Sequence, residues 1–279
     1  MTQMDRAALE GVELEYETRG AGEAVMLIHP GHFADWFVPL LNEPALTDRY
    51  RVVNYHRVGC AGSSNMAGPV SFALQAAHCR SLMRYLGIER AHIVGHSSGG
   101  MVALQMPLDA PDMVQSLALL EPALRSVPSQ KSRAFIGAAH QRYLAGDKAG
   151  AVDTFLRGTC GPDYRTVLDR VLPDSFAQSV TDADTYFGKE LPAMQEWVFT
   201  REEARRITQP VLAVVGEKSR TMDPIWDERQ KLLLDWLPNA EPFVAPGATH
   251  LLQLENPRGI AEGLTAFFAR HPFRKSSVR

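Results

Sequence analysis

One stretch of the chain combines a reactive side chain with the small residues that would expose it. Ser97 lies within Gly95-His96-Ser97-Ser98-Gly99, a segment of the form G-x-S-x-G. An apolar run precedes it at 91–94 and an apolar helical pattern follows at 101–108, which predicts a strand-to-helix turn. Glycines on either side of such a turn lack the Cβ atoms that would collide where strand and helix converge. Ser97 is therefore the predicted nucleophile, and the backbone amide of Ser98 is predicted to face a developing oxyanion.

A serine hydroxyl needs a base within hydrogen-bond reach, and that base needs a group that orients it. In open α/β sheets the loops that follow the strands meet at one edge, so both partners are expected directly after strands. The chain has nine histidines. His250 follows the last predicted strand and precedes the last predicted helix, whereas the side chain of His96 is expected to point away from its neighbour Ser97. His250 is the predicted base, and the predicted chemistry is acyl transfer.

Strands and helices alternate on both sides of a helical block. Strands are predicted at 12–19, 24–29, 50–56, 91–94, 116–121, 210–216 and 240–244, the first of them at an edge of the sheet. Between about 124 and 207 the periodicity is helical. This order predicts an α/β fold with a doubly wound, mostly parallel sheet. The core is expected to comprise 1–123 and 208–279, with 124–207 inserted as a helical cap.

Composition argues against several classes of partner. The 279 residues are 45% hydrophobic and 22% charged, as in soluble globular proteins. A net charge of −3 gives no reason to expect nucleic acid or an anionic membrane as partner. Residues 1–10 lack the apolar part of a secretory signal and no apolar run approaches membrane-spanning length. A cytoplasmic location is expected, and no oligomeric state is indicated.

No metal or cofactor is predicted. The three cysteines, Cys60, Cys79 and Cys160, do not have the spacing of metal ligands and are expected to be reduced and structural. The glycines of the segment 59–62 match neither a P-loop nor a dinucleotide-binding motif.

Four segments, in their order and spacing, resemble those of α/β-hydrolases that carry a cap. They are His29-Pro30-Gly31, the loop from Arg57 to Ser63, the segment around Ser97, and Gly247 to His250. The resemblance implies a Ser-His-acid triad and a second oxyanion amide in the first of these turns. Carried across, that amide belongs to Gly31, with His32 as the alternative, because Pro30 has no N–H. The resemblance also implies that the substrate pocket is beside this turn, and the side chains expected to line it are His32, Phe33 and Trp36.

The acid is where the chain departs from the commonest pattern of that family. Ser219 stands where many relatives have an aspartate after the next-to-last strand, and Asp223 lies four residues further on. Glu121 instead ends the strand after Ser97, in a Glu-Pro context similar to that of the lactone-hydrolysing zearalenone hydrolases. A carboxylate after four apolar residues is costly to bury without a partner, while Asp223 before Pro224 is typical of a helix start. Both acids stay open, and Glu121 is favoured.

The motifs and the resemblance together predict a serine hydrolase acting on a small, largely apolar carboxylic ester or lactone. Dehalogenases and epoxide hydrolases of the family use aspartate at the nucleophile position, so Ser97 argues against both. Carbon–carbon bond hydrolases and perhydrolases share the serine and are the alternative on the same triad. A slow-turnover ligand-binding receptor is the alternative of a different class.

Overall fold

The computed structural model describes residues 4–124 and 129–273. In these residues an eight-stranded sheet has the order β1-β2-β4-β3-β5-β6-β7-β8. The strands are β1 (Asp5–Leu9), β2 (Val12–Arg19), β3 (Glu23–Ile28), β4 (Tyr50–Tyr55), β5 (Ala91–His96), β6 (Val114–Leu120), β7 (Val211–Gly216) and β8 (Ala240–Ala245).

Strand pairing is parallel from β4 through β3 to β8, and antiparallel between β1 and β2 and between β2 and β4. The predicted mostly parallel sheet is thus confirmed. The expectation that 12–19 forms an edge strand is wrong, because β1 pairs along its outer side from Asp5 opposite Tyr16 to Leu9 opposite Val12. Alternation of side chains reports which face of a strand is buried and carries no information about a neighbour in the plane of the sheet.

Helices cover both faces of the sheet and fill the segment between β6 and β7. They are α1 (Val38–Leu41), α2 (Pro44–Thr47), α3 (Phe72–Tyr85), α4 (Ser98–Asp109), α5 (Gln130–Leu144), α6 (Lys148–Cys160), α7 (Tyr164–Val171), α8 (Ser175–Thr181), α9 (Ala183–Thr185), α10 (Leu191–Glu196), α11 (Arg201–Arg206), α12 (Glu217–Met222), α13 (Ile225–Trp236) and α14 (Pro257–Arg270). Short 3₁₀ turns lie at Ala34–Phe37, Pro111–Met113 and Leu252–Leu254, and a π-helical turn at Tyr186–Glu190.

Two apolar layers enclose the sheet, since consecutive side chains of a strand point to opposite faces. In β3, Met26 and Ile28 belong to the layer that contains α3, α4 and the helices between β6 and β7. Val25 and Leu27 belong to the opposite layer, formed with α1, α2 and α14. Burial of β3 on both faces explains why its sequence is continuously apolar.

The register of the central strands determines which loops meet. His96, the last residue of β5, pairs with Leu120, the last residue of β6. The residues that follow, Ser97 and Glu121, therefore leave the same edge of the sheet side by side. No helix in the described ranges is long and apolar enough to cross a membrane.

Candidate active site

Ser97 lies in a strained turn between β5 and α4. Its backbone has φ of 53° and ψ of −118°. Residues other than glycine rarely adopt such a positive φ. The strain is held by backbone hydrogen bonds, because the Ser97 N–H donates to Leu120 O over 2.9 Å and the Ala123 N–H donates to Ser97 O over 3.0 Å. A Cβ on Gly95 would collide with the Gly99 carbonyl, and one on Gly99 with the Ile28 carbonyl. The glycine spacing therefore has the steric origin that the sequence indicates.

Glu121 occupies a second left-handed position, with φ of 42°, directly after β6. It is 2% exposed. Its Oε1 accepts a hydrogen bond of 2.7 Å from the Gly216 N–H at the end of β7. Its other carboxylate oxygen, Oε2, lies 2.5 Å from His250 Nδ1. Both contacts favour the ionised carboxylate and offset the cost of burying it.

His250 is held in the loop after β8 from several sides. Its ring stacks on Trp226 with centroids 4.4 Å apart and packs edge-on against His96 at 4.6 Å. The preceding residue, Thr249, donates from its N–H and its hydroxyl to the Glu255 carboxylate over 2.6 and 2.8 Å. With Nδ1 against Glu121, the ring nitrogen Nε2 is the one left for other chemistry.

Burial shifts the protonation of this pair. Burial, and to a smaller extent the charge of Arg229, lower the pKa of the His250 imidazole. The ring is therefore neutral near pH 7 and able to accept a proton. Burial raises the pKa of the Glu121 carboxyl, and the Gly216 N–H, the Ser219 hydroxyl and Arg229 oppose that rise. Ser219, at the usual aspartate position, thus lies near the acid that the chain has elsewhere.

Asp223, the other acid left open by the sequence, has different partners. Its Oδ1 accepts a hydrogen bond of 3.1 Å from the N–H of Ile225, the first residue of α13. Its Oδ2 accepts one of 3.4 Å from the Ser129 hydroxyl. These contacts match the helix-start interpretation. Of the two candidates, Glu121 is the one in contact with His250.

The two amides predicted for an oxyanion hole differ in their availability. Ser98 is the first residue of α4, so its N–H needs no partner within the helix. The Gly31 N–H donates to Ser98 Oγ over 2.8 Å. This hydrogen bond engages the Gly31 N–H with the protein itself, and the choice between Gly31 and His32 as the second amide stays open. Among the described residues the N–H of His32, the alternative, has no acceptor.

The predicted pocket residues have separate positions. Phe33 and Trp36 line a small cavity together with Ser97 and His250. His32 does not line it. The His32 ring is fully buried between Tyr186 and Phe33, with centroids 4.8 and 4.4 Å away, and its expected role as a pocket side chain stays a prediction. Side-chain direction in a loop follows from packing with distant aromatic residues, which the local sequence does not show.

A larger cavity of about 430 Å³ also reaches Ser97. Two of its lining residues, Trp226 and Arg229 of α13, were missed by the sequence analysis. The sequence does carry a signal for Arg229, which lies three residues after Trp226 and four before the buried Leu233. This spacing places a charged residue on the apolar face of a helix.

Comparison with known proteins identifies relatives of this chain. A 190-residue segment is 34% identical to the dihydrolipoyllysine-residue acetyltransferase component of the acetoin cleaving system of Cupriavidus necator, covering 66% of this chain and 49% of that protein. A 188-residue segment is 29% identical to the uncharacterized carboxylesterase nap of Bacillus subtilis, covering 66% of this chain and 58% of that one. The matched segments thus span about half the length of these relatives.

Solved structures share the fold. The enol-lactonase of Burkholderia xenovorans superposes with a TM-score of 0.80 over 95% of this chain and 100% of its own, at 22% identity. A profile described as the alpha/beta hydrolase family matches residues 25–263. With that match over most of its length, the chain belongs to the alpha/beta hydrolase family.

Proposed function

We propose that this protein hydrolyses a carboxylic ester or lactone through a triad of Ser97, His250 and Glu121. Ser97 Oγ attacks the carbonyl carbon while His250 Nε2 takes its proton. The protonated imidazole then gives that proton to the leaving oxygen. The alcohol of an ester departs, whereas that of a lactone stays attached to the acyl group, which in both cases is bound to Ser97. Water, deprotonated by His250, attacks the acyl carbon, the bond to Ser97 Oγ breaks, and the imidazolium returns the proton to Ser97 as the acid is released. Glu121 holds the imidazole through Nδ1 and stabilises its charged form.

The observation that carries the proposal is the contact of 2.5 Å between Glu121 Oε2 and His250 Nδ1. It brings together two buried side chains 129 residues apart in sequence. His250 and Ser97 line the same small cavity, as a nucleophile and its base must. Burial lowers the pKa of His250 and keeps the ring neutral, the form in which a general base accepts a proton.

For the oxyanion we propose the amide of Ser98 and a second amide from the turn after β3, that of Gly31 or of His32. His32 is buried and does not line the small cavity, whereas Gly31 lines it beside Ser97. Gly31 also positions the turn. Its carbonyl accepts from the Arg57 guanidinium and its N–H is held by Ser98 Oγ, so the turn is fixed at both ends of this residue. The left-handed φ of 39° at Gly31 directs the following peptide. A preorganised donor of this kind typically contributes a hundred- to thousand-fold, roughly, to the rate.

The assignment to esters and lactones draws on the relatives. A Bacillus subtilis relative is described as a carboxylesterase, and the superposed structures include an enol-lactonase. We propose the division into a core of 1–123 and 208–279 and a cap of 124–207 as part of the same function. In support, α5, α6 and α10 contribute side chains to the cavity beside Ser97. The substrate would then bind between cap and core.

Covalent labelling tests this function. A fluorophosphonate is expected to modify the wild-type protein at one serine, and Ser97→Ala is expected to abolish labelling and reduce ester turnover on the order of 10⁶-fold. Ser132→Ala is a matched control, since that hydroxyl also lines the larger cavity. Labelling that persists in Ser97→Ala contradicts the proposed nucleophile.

The number of catalytic turnovers and the substrate that is cleaved distinguish the hydrolase from the two alternative functions. Steady multiple turnover of p-nitrophenyl esters supports the hydrolase. A single slow turnover with tight ligand binding would instead indicate a receptor. Hydrolysis confined to a β-diketone substrate would indicate carbon–carbon bond cleavage on the same triad.

A further inference from the structure

The larger cavity beside Ser97 is basic as well as apolar. Three of its lining side chains can carry positive charge, namely Arg133, His140 and Arg229. Among the described residues no aspartate or glutamate lines it. Apolar walls come from Phe135, Ile136, Phe155, Leu191 and Met194. A wholly apolar substrate would leave the partly buried Arg229 without an acceptor, so the cavity has the character of a site for an anion on an apolar body.

Arg229 is partly buried, and it has no ion pair with any residue that the structure describes. Its Nε is buried without a hydrogen-bond acceptor in the described part of the chain. Its basic neighbours differ, because Arg220 and Lys231 both pair with Asp227 over 2.7 and 2.6 Å. A partly buried guanidinium without an acceptor is costly. An anionic ligand that accepts from it would offset that cost.

The acidic groups near Arg229 are engaged with other partners. Its guanidinium lies 5.2 Å from the ring centroid of Trp226, which holds the side chain by a cation–π contact. Glu121 and Asp223 act on it through their charge, but Glu121 is bonded to His250 and Asp223 to the start of α13. Burial lowers the pKa of Arg229 to about 10, so the group stays cationic at neutral pH.

We propose that Arg229 binds a free carboxylate of the substrate, separate from the ester or lactone group that is cleaved. The preferred substrates would then carry an acid group at the end of the acyl part remote from the scissile carbonyl. This inference rests on the proposed function of Ser97. The acyl part is the one that stays bound to Ser97 through both halves of the reaction, and Arg229 and Ser97 line the same cavity. A guanidinium matches the two oxygens of a carboxylate in a bidentate pair.

A pair of isosteric esters tests the proposal. Mono-p-nitrophenyl adipate carries the carboxylate, and p-nitrophenyl 6-methylheptanoate replaces its two oxygens by methyl groups. The wild-type protein is expected to show the higher kcat/KM for the adipate. Arg229→Met is expected to lower the ratio of the two kcat/KM values about 10- to 100-fold, the range for a charge-assisted hydrogen bond. Arg229→Lys is expected to retain part of the preference.

Two control variants locate the effect. Arg220→Met removes an exposed, paired arginine of α12 and is expected to leave the ratio unchanged. Arg133→Met removes the exposed cation of the same cavity and is expected to change the ratio less than threefold. An equal loss in Arg133→Met and Arg229→Met would assign the preference to the net charge of the cavity and overturn the specific contact.

The outcomes separate this inference from the proposed function. Hydrolysis of both esters with no preference for the adipate overturns the inference and leaves the triad intact. An equal fall for both esters in Arg229→Met would mean that Arg229 acts on the Glu121–His250 pair, which also overturns it. Absence of turnover together with absence of fluorophosphonate labelling at Ser97 would instead refute the proposed function.

Discussion

Glu121 is almost completely buried, has a left-handed backbone conformation and makes two hydrogen bonds through its carboxylate. Its carboxylate accepts from the Gly216 N–H and contacts the His250 ring, and both contacts favour its charge. Asp223 is bound instead to the first amide of α13. The two acids therefore have separable roles, one oriented toward the proposed base and one toward a helix start.

Substitution of the two acids distinguishes these roles. Glu121→Gln keeps the shape but removes the charge that stabilises the protonated His250, so turnover of a p-nitrophenyl ester is expected to fall about ten-thousand-fold. Asp223→Asn keeps an oxygen that can accept from Ile225, and its kcat is expected to change by less than about threefold. The two rates are measured under saturating ester, with circular dichroism to check folding. The reverse ranking would contradict the assignment of Glu121.

At the scale of secondary structure elements, His56 connects three segments. It directly follows β4, and its Nδ1 lies 3.0 Å from Glu15 of β2. Its Nε2 lies 3.2 Å from Asp35 in the 3₁₀ turn Ala34–Phe37. The loop that carries Phe33 and Trp36 toward the small cavity is thereby tied to the sheet by an imidazole between two carboxylates. Burial lowers the pKa of His56, but the hydrogen bonds and charges of Asp35 and Glu15 raise it by more, so its pKa lies above the ordinary value.

This shift predicts a pH-dependent stability. A pKa that is higher in the folded than in the unfolded state stabilises the fold fully below the unfolded value of about 6.5. That contribution is lost as the pH rises through the folded pKa. The difference in Tm between wild type and His56→Gln is therefore expected to be larger at pH 5.5 than at pH 9. In an Asp35→Asn background the difference should depend less on pH, and an unchanged pH dependence there would show that Asp35 does not contribute to the raised pKa of His56.

At the scale of the whole molecule, a buried ion pair joins the inserted helices to the sheet. Arg57, after β4, lies 2.7 Å from Glu190, which ends the π-helical turn before α10. Both side chains are 2% exposed. Arg57 also donates to the Gly31 carbonyl and to Gln75. The position of the proposed oxyanion turn is thus coupled to the packing of the proposed cap.

Breaking this pair is expected to destabilise the protein. Glu190→Gln leaves the buried guanidinium of Arg57 without its counter-charge, which typically costs about 3–5 kcal/mol. Urea unfolding measures the loss, and Glu262→Gln, in the exposed pair with Arg258, is the matched control expected to leave the midpoint unchanged. Because Arg57 also holds Gly31, ester turnover of Glu190→Gln is expected to fall as well. Equal unfolding midpoints for the two variants would show that the buried ion pair stabilises the fold no more than the exposed pair does.

Much of this architecture follows from short-range patterns. Seven of the strands lie close to their predicted positions, because burial on two faces produces continuous apolar runs such as that of β3. The strand-to-helix turn at Ser97 was also predicted, since its glycines are required by local collisions with the backbone of Gly99 and Ile28. The family was predicted from such segments and is confirmed by the profile match over 25–263.

The sequence by itself determined the positions of the proposed nucleophile and base and reduced the acid to two residues. Only the tertiary structure decided which acid contacts His250, which amide Ser98 engages, and that Arg229 faces the cavity beside Ser97. Glu121 directly follows β6 and Asp223 follows α12. The local pattern favoured Glu121 but did not show which of the two reaches His250. The sequence did not decide between the two acids because a hydrogen bond between residues 129 positions apart depends on how loops pack. Local collisions and side-chain periodicity do not encode that distance.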